Sequence, residues 1–273
     1  FERQAPNLDK AYTTLISEVG CGDLDYLRMQ DRISAESGGI GAAFSAKGRI
    51  DDVQALSGYI IFNGKALARN RSELTRLLRD VYTSARFDEK ERIREIIAQI
   101  RARREQAVTG SGHALAMGAA SQGMSPGAWL SFRLGGLAGI RGTKQLDQAL
   151  KDPEELTALC DKLSALHEKI GKQGREFLVI GEEDQLPAMV DDLKSCWRDA
   201  SGAGIAGWKM EPVNYTTREA WLTSTQVNFC SKAYSTVAVD HPDAAALTVL
   251  GGFLRNGYLH RAIREKGGAY GGG

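Results

Sequence analysis

The sequence predicts an α+β fold: a domain of layered sheet and helices, followed by the start of a second, similar domain. Short apolar runs bounded by turn residues predict strands near residues 40–62 and again after residue 176, and three- and four-residue apolar spacing predicts helices almost everywhere else. The 273 residues are 42% hydrophobic and 25% charged, which is enough for a buried core. With 35 basic and 34 acidic residues, the net charge of +1 provides no overall field for nucleic acid, and no apolar run is long enough to span a bilayer.

The first 64 residues predict two helices and a pair of strands. The apolar positions of the first helix are Leu8, Tyr12, Leu15, Ile16 and Val19. This helix ends at Gly20, and Asp23 is placed to cap a second helix, whose apolar face includes Leu27 and which ends at Gly38-Gly39. Residues 40–45 and 56–62 then predict two strands joined by a connection that contains Gly and Asp.

Residues 70–197 predict mainly helices. Four helix starts carry cap signals: Asn70 with Glu73, Asp88 with Glu91, Ser125-Pro126 and Asp152-Pro153. Residues 176–181 predict a short buried strand, and a helix with apolar residues from Leu186 to Trp197 follows it. This pattern predicts that residues 1–200 form most of one α+β domain.

The last quarter of the sequence changes in composition. Residues 201–215 predict a linker because Gly, Ser and Ala occur there without a period. Beyond it, residues 226–229 and 234–239 predict strands, and a helix opens near His241-Pro242. Residues 216–273 therefore predict the truncated beginning of a second α+β domain. The sequence starts at Phe1 without a methionine, so we expect a piece of a longer protein.

Motifs for metal, nucleophile and nucleotide chemistry are incomplete. Gly171 stands where H-E-x-x-H needs its second histidine after His167, so the half-motif cannot bind zinc by itself. The inverted zinc motif H-x-x-E-H is not completed after His260. Ser121 lacks the first glycine of the G-x-S-x-G nucleophile elbow. Phe44 stands in place of the third glycine of a dinucleotide-binding fingerprint. The four cysteines are scattered and are interpreted as small buried hydrophobes: Cys21, Cys160, Cys196 and Cys230. Arginines in residues 69–104 alternate with acids, which favours a solvated, ion-paired face over a nucleic-acid surface.

Residues 259–271 offer the best candidate site. A helix ends there at a lysine and two glycines, and the chain then becomes extended, with Gly267 or Gly268 free to take positive φ. Arg264 in the last helical turn and Tyr270 in the new strand then face a common point, where a guanidinium and a phenol suit a substrate carbonyl or oxyanion. The structural alternative makes Arg264 a favourable charge at a helix C-terminus and Tyr270 an ordinary strand residue.

Residues 263–271, Ile-Arg-Glu-Lys-Gly-Gly-Ala-Tyr-Gly, resemble the C-terminal-half signature of the pitrilysin/insulinase-type zinc metallopeptidases, in particular the presequence protease branch. Residues 240–247 and 18–26, the latter followed by Gly38-Gly39-Ile40, are also similar to that branch. The resemblance implies sheet-and-helix domains of the pitrilysin/processing-peptidase type, two in each half of an enzyme that closes over a chamber. The resemblance further implies that zinc is bound by H-x-x-E-H in the N-terminal half and that Arg264 and Tyr270 match the positions that hold the substrate.

By this resemblance, residues 1–200 are most of the third domain without its first strands, and residues 216–273 open the fourth. We expect the partners to be peptide substrates and the N-terminal half of the same protein, with neither nucleic acid nor membrane. A second copy of the chain is expected to complete the truncated last domain if that domain is ordered. The fragment alone is expected to bind no zinc and cleave nothing. The alternative is a non-catalytic structural relative. The expected location is the cytoplasm, with which the cysteine usage is compatible. A periplasmic or organellar location stays open, because we expect the true N-terminus to be missing from this piece.

Overall fold

The structure of the protein, a computed structural model, describes residues 6–198, 210–223 and 226–272. The helices are α1 (Pro6–Leu15), α2 (Tyr26–Glu36), α3 (Arg71–Ser84), α4 (Lys90–Gly110), α5 (Gly112–Ser121), α6 (Pro126–Leu134), α7 (Leu137–Ala149), α8 (Pro153–Gly171), α9 (Leu186–Cys196) and α10 (Ala244–Leu254). The strands are β1 (Ile40–Gly48) and β2 (Leu56–Gly64). A short 3₁₀ turn (Ala68–Asn70) precedes α3, and a π-helical segment (Arg255–Lys266) continues α10.

Strands β1 and β2 form an antiparallel hairpin in which Ile40 lies opposite Gly64 and Gly48 opposite Leu56. Both predicted strands are therefore confirmed, and each is longer than its apolar run. Ile60 and Phe62 of β2 pack against the helical core, while Tyr59 and the other outward positions meet solvent. This alternation is that of a half-buried strand. Helices with a small antiparallel sheet agree with the predicted α+β class at that coarse level.

The core lies where α1, α3, α4 and α8 meet. Its fully buried side chains include Tyr12, Leu15, Leu77, Ile93 and Leu163. These positions recur at three- and four-residue spacing in each helix, so the predicted apolar faces are the ones that pack together. Burying one such side chain stabilises the fold by about 1.5–3 kcal/mol relative to leaving it exposed. The hairpin packs against this helical layer, and residues 210–223 also lie against it.

Two of the predicted helix starts use the predicted cap. The Asp152 carboxylate accepts a hydrogen bond from the Glu154 N–H at 2.9 Å, and the Ser125 hydroxyl accepts from the Ala128 N–H at 3.1 Å. Each cap satisfies an N–H group that the helix cannot satisfy itself, and a proline follows it at the first helical position.

Other predicted details of these helices are wrong. Asp25, not Asp23, caps α2, because Gly22 at φ 57° and a tight Cys21–Leu24 turn delay the helix until Tyr26. Asn70 precedes α3, but its side chain donates to the Glu36 carbonyl instead of capping.

Leu27 does not share the buried face of α2, since 60% of it is exposed. Asp88 does not cap α4 either, because its carboxylate accepts from the Arg86 guanidinium and Glu89 precedes the helix.

The predicted strand at residues 176–181 is wrong. Leu178 and Ile180 are 86% and 82% exposed, and the segment is irregular. Phe177 packs its ring edge-on against Trp197 at 5.2 Å instead of entering a sheet. A strand needs a neighbour to pair with its N–H and C=O groups, and the described residues place none beside this run. Residues 226–229 and 234–239 do not form the predicted strands either.

The predicted linker, residues 201–215, falls largely on residues 199–209, which lie outside the described residues. Residues 210–223 follow without helix or strand and lie against the helical layer. The last predicted helix is confirmed as α10, which begins after Asp243. Within the described part of the chain, every helix is too short or too polar to cross a bilayer.

Candidate functional site

The end of the π-helical segment forms a closed turn. The Arg264 carbonyl accepts hydrogen bonds from the N–H groups of Gly267 and Gly268, the latter at 3.1 Å. The Ile263 carbonyl accepts from the Ala269 N–H, also at 3.1 Å. The paired bonds resemble a Schellman cap, but each spans one residue more than it would at the end of an α-helix. The wider π-helical turn explains this difference, and the chain reverses direction after it.

The two glycines of this turn serve different purposes. Gly268 has φ 69°, a conformation that other L-residues rarely adopt. Gly267 has an ordinary φ of −86°, but a Cβ there would lie 2.6 Å from the Ile263 carbonyl oxygen. The prediction that one of the two glycines takes a positive φ is thus confirmed for Gly268. Gly267 is needed because the chain there passes close to the Ile263 carbonyl oxygen. Gly272 lies against the Ile263 side chain. The chain after the turn therefore comes back to the end of the π-helical segment.

The backbone hydrogen bond between Ile263 and Ala269 closes the turn. Arg264 directly follows Ile263, and Tyr270 directly follows Ala269. Both side chains are exposed, Tyr270 to 88%. Neither makes a side-chain hydrogen bond or ion pair with a residue that the structure describes. Glu265, between them, lies 3.4 Å from the Nδ1 atom of His260. Tyr270 is not in the predicted strand, because residues 267–272 are irregular. The turn therefore presents one guanidinium and one phenol, both open to a ligand.

The described residues do not fit a zinc site. Across residues 6–198, 210–223 and 226–272, no three His, Cys, Asp or Glu side chains are grouped to hold a metal ion. His167, the first residue of the half-motif, is buried, and its Nδ1 atom lies 2.8 Å from the Tyr12 hydroxyl. Burial lowers the pKa of His167 because the charged imidazolium loses its hydration. This histidine belongs to the core.

The cysteines follow the prediction only in part. Cys21 and Cys160 are buried, Cys196 is half-buried, and Cys230 is exposed, so the interpretation of Cys230 as a buried hydrophobe is wrong. Burial raises the pKa of Cys21 to about 11, which keeps its thiol protonated and unreactive.

The arginine-rich stretch forms the predicted ion-paired face. Arg92 reaches Glu18 at 2.9 Å and Glu95 at 3.0 Å, and Arg101 reaches Asp147 at 3.2 Å. In each of these pairs one partner, Arg92 or Asp147, is mostly buried and the other is more exposed to solvent.

A groove of about 440 Å³ between α3 and α9 lies apart from the turn. Arg76 and Arg79 line it, together with Arg32, which Asp80 holds through a 2.7 Å ion pair. Neither Arg264 nor Tyr270 lines this groove. Sequence reasoning missed it, because its walls come from helices that are more than a hundred residues apart.

Comparisons with known proteins support the resemblance. Residues 5–146, just over half of the chain, match the family described as associated with subfamily C of the M16 peptidases. The chain is 24% identical over 284 residues to "Presequence protease, mitochondrial" of Danio rerio, an alignment that covers 96% of this chain and 28% of that protein. The proteins of the same name from Yarrowia lipolytica and Gibberella zeae are 27% identical over 267 residues and 28% identical over 276, each covering 96% of this chain and 27% of the relative.

The chain thus spans little more than a quarter of the length of these relatives. The expected resemblance to presequence proteases is confirmed over nearly the whole chain. The chain belongs to the family associated with subfamily C of the M16 peptidases, as a C-terminal-half segment of a presequence-protease-type M16 peptidase.

Proposed function

We propose that this chain is the substrate-contacting segment of a zinc metallopeptidase that degrades peptides in a closed chamber. In this proposal residues 1–200 are most of the third domain, residues 201–215 are the linker, and residues 216–273 begin the fourth. Family membership and the name of the relatives support peptidase activity in the full-length protein. The observation that supports the role of this segment is the turn closed by the hydrogen bond from the Ala269 N–H to the Ile263 carbonyl. Arg264 and Tyr270 are the residues after these two, and both side chains are exposed and unpaired among the described residues.

The metal of the proposed enzyme is held outside this chain. Zinc supplies an activated water in such peptidases, and its H-x-x-E-H ligands belong to the N-terminal half. Because the resemblance places the zinc ligands in the N-terminal half, this segment has no metal-binding role in the proposal. The fragment alone is therefore proposed to be inactive and to depend on the N-terminal half of the same protein as its partner.

The contribution of this chain is hydrogen bonding to the peptide that is cut. The Arg264 guanidinium and the Tyr270 hydroxyl donate to the carbonyl oxygen of the scissile peptide and to the oxyanion that develops on it. Neither side chain has to break a hydrogen bond within the described structure before it binds, which lowers the cost of reorganisation. The backbone hydrogen bonds of the turn fix the spacing of the two residues.

The test uses the full-length protein with Tyr270→Phe, and Tyr258→Phe as the matched control. Tyr258 is also exposed, at 71%, and lies in the π-helical segment before the turn. We expect Tyr270→Phe to lower kcat on a fluorogenic peptide by about 10²–10³, the usual loss for one oxyanion donor, with unchanged zinc content. Tyr258→Phe is expected to leave both unchanged.

An unchanged kcat in Tyr270→Phe contradicts the assignment. A full-length wild-type protein that holds no zinc and hydrolyses no peptide instead supports the non-catalytic structural relative.

A further inference from the structure

Residues 213–221, which we call the strap, lie on the helical layer and take no part in the turn at residues 263–269. The strap has neither helix nor strand, so its backbone groups are available to other parts of the chain. Its half-buried residues are Val213, Thr217 and Trp221, and the residues between them are exposed. The strap therefore lies on the helical layer with most of its residues open to solvent, including Tyr215, which is 45% exposed.

Two backbone N–H groups of the strap donate to groups of the helical layer and the hairpin. The Val213 N–H donates to Oε1 of Gln54, in the connection between β1 and β2, at 2.9 Å. The amide nitrogen of Gln54 in turn donates to the Met124 carbonyl at 3.0 Å, which fixes the Gln54 side chain across the surface. The Tyr215 N–H donates to the Gly123 carbonyl at 2.9 Å. These contacts recognise a peptide backbone, whatever its side chains.

A buried glutamine adds a side-chain acceptor. Gln122 is only 5% exposed, and its Nε2 atom donates to the Ala119 carbonyl at 3.0 Å, so its oxygen points away from α5. That oxygen accepts a hydrogen bond from the Tyr215 hydroxyl at 3.2 Å. A buried polar side chain needs a partner, and the phenol of the strap supplies one.

The close approach of the strap requires Gly123. A Cβ at this position would overlap the Tyr215 carbonyl oxygen and would lie 2.9 Å from the Tyr215 ring. Any larger residue therefore pushes the strap away from the turn between α5 and α6.

The far end of the strap is held by an aromatic and cationic pocket. The Trp221 ring packs edge-on against Phe132 at 5.9 Å, and the Arg141 guanidinium carbon lies 4.3 Å above the same ring. Cation–π attraction and ring packing both favour an indole here. The indole N–H of Trp221 also donates to the Glu219 carboxylate at 2.8 Å, within the strap itself.

We infer that these residues form a peptide-binding groove and that the strap is its ligand within the same chain. The groove comprises Gln54, Gln122, Gly123, Phe132 and Arg141. It selects a non-helical peptide with a tyrosine and, six residues later, a tryptophan, and it accepts such a peptide from another molecule when the strap is absent. A tethered ligand has an effective concentration on the order of millimolar, so the strap excludes outside peptides from the wild-type groove. This inference does not depend on the proposed peptidase function.

The experiment uses the 273-residue chain and a fluorescein-labelled peptide with the sequence of residues 210–223. The double variant Tyr215→Ala with Trp221→Ala weakens the internal ligand. We expect its dissociation constant for the peptide, measured by fluorescence anisotropy, to be at least about tenfold lower than that of the wild type. The matched control is Tyr234→Ala, which removes an exposed tyrosine that contacts Lys232 outside the groove. This control is expected to bind the peptide as weakly as the wild type.

Specificity is tested with a second peptide in which both aromatic residues are alanine. We expect it to bind the double variant at least about tenfold more weakly than the native sequence. Adding Gly123→Val to the double variant is expected to remove binding of the native peptide. Equal binding of both peptides, or no gain over wild type in a double variant with the wild-type circular dichroism spectrum, overturns the inference.

If the double variant loses helical circular dichroism, Arg141→Ala is used in its place, with the sequence of the strap left unchanged. Amide hydrogen exchange at Tyr215 is then measured. The inference requires faster exchange there in Arg141→Ala than in the wild type, and equal rates overturn it.

Discussion

The buried pair of Tyr12 and His167 makes the stability of this domain depend on pH. The phenol of Tyr12 and the Nδ1 atom of His167 are 2.8 Å apart, and both residues are buried in the core beside Phe87. Burial raises the pKa of Tyr12, so the phenol stays protonated and donates to Nδ1. The remaining imidazole proton is then on Nε2, a buried atom without a hydrogen-bond partner among the described residues.

The sign of the pH dependence follows from the lowered pKa of His167. Below about pH 6.5 the unfolded chain binds a proton at this histidine, whereas the folded chain does not until a lower pH. The free energy of unfolding therefore falls as the pH drops below about 6.5, by at most about 1.4 kcal/mol per pH unit from this group. The loss stops once the pH is below the folded-state pKa.

The assay is urea unfolding of the chain at pH 5, 6, 7 and 8 for wild type, His167→Gln and His113→Gln. His113 is exposed on α5 and serves as the control. At pH 8 we expect His167→Gln to be the less stable by about 1–3 kcal/mol, since the substitution leaves the buried phenol without its partner. This deficit should shrink towards pH 5, while His113→Gln follows the wild type. A constant difference between wild type and His167→Gln at all four pH values refutes the reasoning.

Two further predictions concern the turn and the core. Gly268→Ala in the full-length protein is expected to lower kcat/KM about 5- to 30-fold, because an L-residue at φ 69° costs about 1–2 kcal/mol and the turn relaxes to avoid it. Gly252→Ala, in α10 with open space around the glycine, should leave kcat/KM unchanged, and equal activities of the two variants contradict the role of the turn. Leu163→Ala, at a fully buried position, is expected to lower the free energy of unfolding by about 2–5 kcal/mol in urea titrations. Leu222→Ala, at a position 99% exposed, should change it by less than about 0.5 kcal/mol, and similar losses would contradict the placement of the core.

Local signals in the sequence predicted most of the helices. The start of α8 is one example, since Asp152-Pro153 supplies a side-chain acceptor and a preset φ within two residues. The apolar spacing that follows then selects the buried face. Helix boundaries were less accurate: Gly22 takes a positive φ, so the helix begins later and Asp25 caps α2 in place of Asp23.

Features that depend on distant parts of the chain were not predictable in the same way. A four-residue apolar run such as residues 177–180 suits a buried strand or an irregular segment equally well, and only a pairing partner decides between them. Residues 54 and 123 of the groove contact residues 213 and 215 of the strap, far away in the sequence, and none of these residues carries a periodic signal. At the turn, by contrast, two adjacent glycines and their spacing from Arg264 and Tyr270 were visible locally, so the sequence singled out this segment.

The hairpin has a consequence for any molecule that consists of this segment alone. Strand β2 (Leu56–Gly64) has β1 as its one strand neighbour within the described chain, so its outer edge is open to a further strand. Tyr59 and Ile61 of β2 are 54% and 44% exposed, which gives that edge an apolar flank. An open, apolar edge is a template for aggregation. A molecule that consists of this segment alone is therefore expected to self-associate through the open edge of β2.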